Sequence, residues 1–376
     1  MIGVRLDPQD TLFFRDGTPF SAGNSPQQDV AGRFPPHPPT VVGALRAALA
    51  RRNDWKTGVR WPKCLNKVLG NGPDDLGSLI FEGPYVLRDG TPLFAAPRHV
   101  LGQLDNDRWV PRVLLRPGRA VQCDLGDAVR LPEAPSASTG IEHCRTGSGW
   151  WLKPAAMGSV LKGQLPCAND LVANRDLWRD ELRVGLERNP IRRTAEDGKL
   201  YSSRHVRLKC RVSLGMRIGG IPSHWKLPLG HLVPLGGESR LALWEPWDMP
   251  TEFAVPKAKI ENSGHAVVVA LSPLDLDEDT VNGRRALEIP GGVRVISACL
   301  GRPERIGGWD SLARGPLPLR SVLPSGSVLF CRASKPRRLI GAIRAGDGIL
   351  RLGKRQAWGF GVATVGAWPD QLETNS

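Results

Sequence analysis

The sequence predicts an α+β protein of two domains, built from short strands joined by turns and long loops. Three observations carry that expectation. Residues 1–52 run strand, long loop, helix, which is the start of a βαβ-type unit. Glycine (43 residues) and proline (33) punctuate the whole chain and favour turns and short strands over long helices. Period-2 apolar alternation recurs near the far end, in Trp358, Phe360 and Val362.

In order along the chain, Ile2, Val4 and Leu6 alternate with Gly3 and Arg5 as an opening strand that stops at Asp7-Pro8. The stretch TLFFRDGTPF follows, with turns expected at Asp16-Gly17 and Thr18-Pro19. Residues 21–30 are polar and expected to be mobile. Prolines 35, 36, 38 and 39 keep the next segment extended, and Thr40 is placed to cap the helix VVGALRAALARR. Val41, Leu45, Ala48 and Leu49 share one face of that helix, and Arg51 and Arg52 complement its C-terminal dipole. Residues 53–170 read as a large insertion of long loops with short strands such as 112–115. A helical pattern with Leu177, Trp178 and Leu182 covers 174–183. Glu196-Asp197-Gly198-Lys199 then gives the turn of a projecting hairpin over about 184–217. Further strands are expected at 232–245, around a Gly-Gly turn, at 266–271 and at 290–299. The domain boundary is placed in the Pro-rich region 247–256, giving domains 1–250 and 251–376.

The 376 residues suffice for two sizeable cores. A hydrophobic content of 41% excludes a wholly disordered chain. Lys+Arg 51 against Asp+Glu 37 gives +14, a balance that favours a nucleic acid or another acidic partner over an acidic small molecule. No apolar run approaches a membrane helix, the longest being 266–271, and the N-terminus lacks a charged-then-apolar leader pattern. The seven cysteines are scattered, odd in number and never in a CxxC pair, which points away from zinc ribbons and disulfide frameworks and toward a reducing cytoplasm.

The positive charge is concentrated twice. Lys199, Arg204, Arg207, Lys209, Arg211 and Arg217 occur over 199–217 with no acidic residue, and eight basic residues face Asp347 alone over 332–355. The second run ends in the Gly-rich stretch LGKRQAWGFG (352–361). Glycines 353, 359 and 361 permit positive φ and close approach of another backbone, and Lys354, Arg355 and Gln356 lie between them. Arg355 stands where a P-loop needs Ser or Thr, and a strand rather than a helix follows, so neither a P-loop nor a dinucleotide fingerprint applies. Two readings remain: a tight hairpin with solvated charges, or a site for a polyanion lying across it. Both cations are expected to be dispensable for folding.

Several blocks together resemble one family. LFFRDGTPF (12–20), FPPHPPTVVGALR (34–46), RVGLERNPIRRTAEDGKLY (183–201), LGGESRLA (235–242), GGWD (307–310), LPSGSVLFCR (323–332) and LGKRQAWGFG (352–361) resemble, in order, the 5′-handle-binding RAMP subunit of type III-B (Cmr) CRISPR effector complexes, the third protein of the Cmr series. The resemblance spans nearly the whole chain and is poorest over 53–170. It implies two ferredoxin-like (RRM-like) domains with long insertions and a thumb-like hairpin. It also implies a non-catalytic role in antiviral defence, holding the 5′ handle of the CRISPR RNA. The partners it implies are the large polymerase-like subunit and the repeating RAMP backbone subunit, with no cofactor and no metal. The RNA-binding candidates are Arg15 and Arg46 in the N-terminal blocks, and Arg193, Lys199, Tyr201, Arg204, Arg207 and Lys209 on the hairpin. On the Gly-rich loop they are Gly353, Lys354, Arg355, Gln356 and Trp358, the last as a base-stacking candidate at the rim.

The alternative is an enzyme. Some RAMP proteins cut RNA without metal, using a His as general base and a Lys or Tyr to stabilise charge, and Tyr201, His205 and Lys209 recur at intervals of four. A strand places such residues on one face without any need for catalysis, and a basic RNA-facing strand with an incidental histidine is the preferred reading. His37, His224 and His231 are isolated. The acidic run Asp275, Asp277, Glu278, Asp279 lacks the glycine and closing glutamate of a calcium loop, and reads as a solvated loop or a face for a basic protein.

Overall fold

Alternate side chains of the opening strand, Ile2–Pro8, decide where the first core lies: Val4 and Leu6 are fully buried while Ile2 stays exposed. The computed structural model describes residues 1–15, 29–30, 32–56, 59, 61–123, 126–135, 138, 140–188, 191–249, 253–310, 315–345 and 347–369. The turns expected at Asp16-Gly17 and Thr18-Pro19, and most of the polar stretch 21–30, lie outside the described residues. Helix makes up 17% and strand 41%, a mixed α and β chain in which strand dominates.

Two compact units divide the chain, and neither is continuous in sequence. The first comprises Met1–Gly90, Arg175–Asp248 and Arg305–Arg320; the second comprises Thr91–Asn174, Met249–Glu304 and Ser321–Ser376. The sequence predicts one division at residue 250; the chain passes between units at 90–91, 174–175, 248–249, 304–305 and 320–321.

In the first unit the opening strand pairs antiparallel with both Val212–Gly219 and Leu241–Pro246, with Leu6 opposite Leu214 on one side and Trp244 on the other. Ile80–Arg88 lies beyond Val212–Gly219, and Leu232–Pro234 closes the far edge. The helix Pro38–Arg52 packs against the Leu232–Pro234 and Ile80–Arg88 strands through Val41, Leu45 and Leu49, all fully buried. It begins two residues before the expected Thr40 cap. Prolines fit its first turn because the N–H they lack would have had no intrahelical acceptor.

The second unit holds a five-stranded antiparallel sheet ordered Val293–Cys299, Val328–Ala333, His265–Ala270, Val362–Gly366, Ile349–Arg351. Helices Lys257–Ser263 and Pro336–Ala342 cover one face, seating Ile260 and Leu339 against Val268, Leu329 and Val365. The helix Pro154–Leu161 packs against the Val362–Gly366 strand, where Ala367 N–H donates to Leu161 C=O at 2.8 Å. Both faces of His265–Ala270 are therefore covered, which is why its sequence is a continuous apolar run rather than an alternating one. Burying each such Val or Leu contributes roughly 1.5–3 kcal/mol.

Three expectations are corrected. Residues 53–170 are not mainly loops: they supply Ile80–Arg88 to the first sheet, and strands Thr91–Ala95, Trp150–Leu152 and Leu171–Ala173 pair in the second unit. Residues 174–183 are not a helix. A single 3-10 turn at Asn174–Asp176 leads into the strand Trp178–Arg188, because Leu182, Val184 and Leu186 repeat every two residues. Glu196-Asp197-Gly198-Lys199 is not the reversal of the hairpin. It lies inside the returning strand Ala195–Leu208, at a ladder irregularity between the pairs Leu186–Leu200 and Arg188–Ala195. The chain reverses between Arg188 and Ala195, where Arg193 takes φ +55°.

His99, in the second unit, is fully buried, edge-on to Phe330 at 5.8 Å, and neither ring nitrogen has a hydrogen-bond partner among the described residues. Burial pushes its pKa down to about 3. The imidazole thus stays neutral in the fold while the unfolded chain protonates below about pH 6.5. The unfolded state then binds more protons, so stability is fully present above about pH 6.5 and is lost toward about pH 3, by up to about 1.4 kcal/mol per pH unit. His99→Leu should flatten the acid limb of a Tm-versus-pH profile; parallel acid limbs for both proteins would remove His99 as the cause.

Candidate nucleic-acid interface

Cross-strand register sorts the charges of the hairpin. Glu181 stands opposite His205 and Arg183 opposite Ser203; His205 and Ser203 are buried, so this face turns toward the first unit. Asp10, just past the opening strand, receives Arg207 at 2.8 Å, Arg183 at 2.9 Å and Arg240 at 3.1 Å. Arg183 and Arg207 also donate to Glu181 Oε1, at 2.9 and 3.1 Å. Hydrogen bonds from Arg207 hold the Glu181 carboxyl down to about 2. Burial opposes ionisation of Asp10, but Arg183, the Thr11 N–H and Arg207 outweigh it and bring its pKa to about 2. The Arg207 guanidinium is correspondingly held charged by Glu181 and Asp10. On the opposite face Leu182, Val184 and Leu186 are exposed, together with Arg204, which pairs loosely with Asp180 at 3.8 Å.

The basic run over 199–217 is therefore less free than its sequence suggests. Arg207 is locked in the Asp10–Glu181 network, Arg211 meets Asp89 at 3.3 Å, and Arg217 meets the fully buried Glu82 at 3.0 Å. Each acidic partner comes from a neighbouring strand or loop, invisible to a count along the run. Lys209 is exposed and makes no ion pair among the described residues. Lys199 and Tyr201 lie on the returning strand, and their side chains fall outside the described residues.

His205 is 1% exposed, stacks on Phe13 at 5.0 Å and shares a hydrogen bond between Nδ1 and Thr11 Oγ1 at 3.1 Å. Burial and the Arg240 and Arg183 charges lower its pKa. Buried under Phe13, it is shielded from any RNA in solution, while Lys209 stands exposed at the strand's end.

At the root of the hairpin an open cleft of about 430 Å³ is lined by Arg88, Asp176, Arg179, Arg207, Lys209 and Cys210, with Leu208. Arg88, Arg179 and Asp176 were not singled out by sequence reasoning. Arg88 ends an apolar strand and Arg179 sits in a mixed-charge stretch, so neither carries a local signal; only strand pairing brings them to Lys209.

The Gly-rich loop of the second unit is pinned by the first residue of the acidic run. Lys354 N–H donates to Asp275 C=O at 2.9 Å, Arg355 Nε donates to Asp275 Oδ2 at 2.8 Å, and the Arg355 guanidinium lies 4.1 Å over Phe360. Gln356 turns inward to Gly353 C=O at 3.0 Å, and Trp358 is half-buried. Gly353 (φ +78°) passes so close to Asp275 that a Cβ would sit 2.6 Å from its carbonyl. Of the loop's candidate side chains Lys354 alone is exposed and without a hydrogen bond or ion pair among the described residues. Asp277 caps the short helix Glu278–Val281 through Thr280 and pairs with Arg285 at 3.0 Å. Asp275 and Asp277 are thus engaged within the chain, whereas Glu278 is exposed.

Of the N-terminal candidates, Arg15 is exposed beside a backbone bridge to Gly32. Arg46 is corrected: it is 5% exposed, donates to the carbonyls of Leu69, Gly72 and Asp75, and lies 5.2 Å over Trp61. It closes the end of the helix Lys63–Leu69 and faces no solvent-borne ligand. Arg193, between the hairpin strands, is exposed.

Two stability outcomes follow from the loop. Lys354→Ala should leave Tm unchanged, whereas Arg355→Ala strands the Asp275 carboxylate, only 12% exposed, and should cost about 1–3 kcal/mol. Equal melting temperatures for the two variants would contradict the pinning. Gly361→Ala meets both positive φ (+71°) and a Cβ position 1.8 Å from Leu352 C=O, so chemical denaturation should show a loss well above about 1 kcal/mol.

Residues 4–368 match the family model of the CRISPR-associated protein (Cas_Cmr3). No curated protein matches the chain. Among solved structures it is similar to a chain of the Type III-B Cmr-beta complex bound to cognate target RNA, with TM-score 0.51 and 15% identity over 87% of this chain and 86% of that one. A second structure of that complex, with AMPPnP in addition, gives TM-score 0.49 at 15% identity over the same shares. A chain of a Csm3-Csm4 subcomplex from a type III-A interference complex gives 0.39 at 11% identity, over 89% and 94%. At 15% identity the likeness to the first of these is one of fold.

Proposed function

Since the chain belongs to the Cas_Cmr3 family of CRISPR-associated proteins, we propose that it is a non-catalytic RNA-binding subunit of a cytoplasmic type III-B effector complex, anchoring the 5′ handle of the guide RNA. The observation that carries this reading is the sorting of charge on the first unit. Arginines facing the protein are neutralised by Asp10 and Glu181, while Arg88, Arg179 and Lys209 meet at a solvent-facing cleft. Exposed cations gathered in a cleft suit a phosphate backbone, whose contacts dominate affinity whatever the base sequence. Lys354 adds an exposed charge on the loop of the second unit.

Strand order supports the ferredoxin-like reading of both units. In chain order the four main strands of each sheet lie as 2-3-1-4: 80–88, 212–219, 2–8, 241–246 in the first, and 293–299, 328–333, 265–270, 362–366 in the second. All neighbours are antiparallel. The large polymerase-like subunit and the repeating RAMP backbone subunit are the partners this role requires.

The non-catalytic part rests on His205. A general base must reach the proton it takes, and this imidazole is covered by Phe13 and engaged by Thr11. Purified protein incubated with repeat RNA without metal should bind it and leave it uncut, and His205→Ala should change neither result. Cutting that vanishes in His205→Ala would establish a metal-independent endoribonuclease instead, since losing a general base costs roughly 10²–10⁴-fold.

A further inference from the structure

We propose that the cleft at the root of the hairpin takes one ribose-phosphate unit of single-stranded RNA, with Arg88, Arg179 and Lys209 on the phosphates and Asp176 accepting a hydrogen bond from the ribose 2′-hydroxyl. The inference rests on the RNA-binding reading above and assigns its sugar selectivity. At about 430 Å³ the cleft has the size of a small-ligand site, roughly 300–1,000 Å³. Its cations differ in mobility. Arg207 is a fixed wall, held at 2.8 Å to Asp10. Arg88, Arg179 and Lys209 are exposed and make no ion pair among the described residues, so their charges are available to a ligand.

Asp176 is the informative member. It shares the lining, is exposed, and forms no hydrogen bond or ion pair among the described residues despite the surrounding cations. A carboxylate beside a phosphate site repels the ligand unless the ligand also brings a donor. RNA brings one: the 2′-hydroxyl can donate to a carboxylate oxygen, whereas deoxyribose cannot. The residue set therefore fits RNA better than DNA.

The test uses the full chain and fluorescence anisotropy with a short single-stranded RNA and the all-deoxy strand of the same sequence, across a salt series. Wild type should prefer RNA. The triple variant R88Q/R179Q/K209Q should bind RNA more weakly and with a salt slope shallower by about 0.7–1.4, the one or two phosphates of that unit at about 0.7 each. Asp176→Ala should keep the slope and cut the RNA-over-DNA preference by about tenfold, the worth of one charge-assisted hydrogen bond. All four side chains are exposed, so thermal melts should match wild type; if the triple variant melts early, the single Arg→Gln and Lys→Gln variants carry the same comparison. RNA binding by wild type that the cleft variants leave unchanged overturns the cleft and spares the RNA-binding reading. Absence of RNA binding by wild type overturns both. An unchanged RNA-to-DNA ratio in Asp176→Ala overturns the 2′-hydroxyl contact, and displacement of RNA by polyglutamate at equal charge assigns the cleft to an acidic protein segment instead.

Discussion

The Asp10 carboxylate gathers three guanidinium groups from three separate stretches of chain: Arg183 and Arg207 on the two hairpin strands, and Arg240 beside the Leu241–Pro246 strand. Among the described residues the hairpin gains only the two-residue strand Asp29–Val30, paired with Ser202 and Ser203, and so small a sheet is marginal in water without such an attachment at its root. Glu181, itself on the hairpin, braces the same two arginines across its strands, and Phe13 on His205 adds a second contact between the hairpin and the rest of the unit. Five side chains shielding one another in a half-buried network hold their charges more firmly than isolated surface pairs, which contribute little. The placement of the cleft cations depends on this network, because Arg207 belongs to both.

A parallel device acts in the second unit. Asp275 receives the Lys354 N–H on its carbonyl and the Arg355 guanidinium on its carboxylate, and Gly353 can pass close to it because no Cβ intervenes. Phe360, fully buried, supports the other side of Arg355. In both units a basic residue that looked available for a ligand is instead a brace, and the cation left over stands on a rigid support. A preorganised charge loses less freedom on meeting a phosphate than one on a floppy loop, so the braces serve binding without touching the ligand.

By itself the sequence determined the strand-rich mixed class, the opening strand and helix, the strands near 232–245, 266–271 and 290–299, and the family. All of these rest on local information: period-2 alternation, proline and glycine punctuation, and ordered blocks along the chain. Only the tertiary structure decided which cations are free. Arg207, Arg217 and Arg355 are neutralised by Glu181, Glu82 and Asp275, which lie 26, 135 and 80 residues away in sequence. Arg46 turned out to be a buried cap for distant carbonyls, and Arg88, Arg179 and Asp176 reached one cleft through strand pairing. Charge along a run is a local property, whereas pairing depends on strand register, and register is set by which face each strand buries.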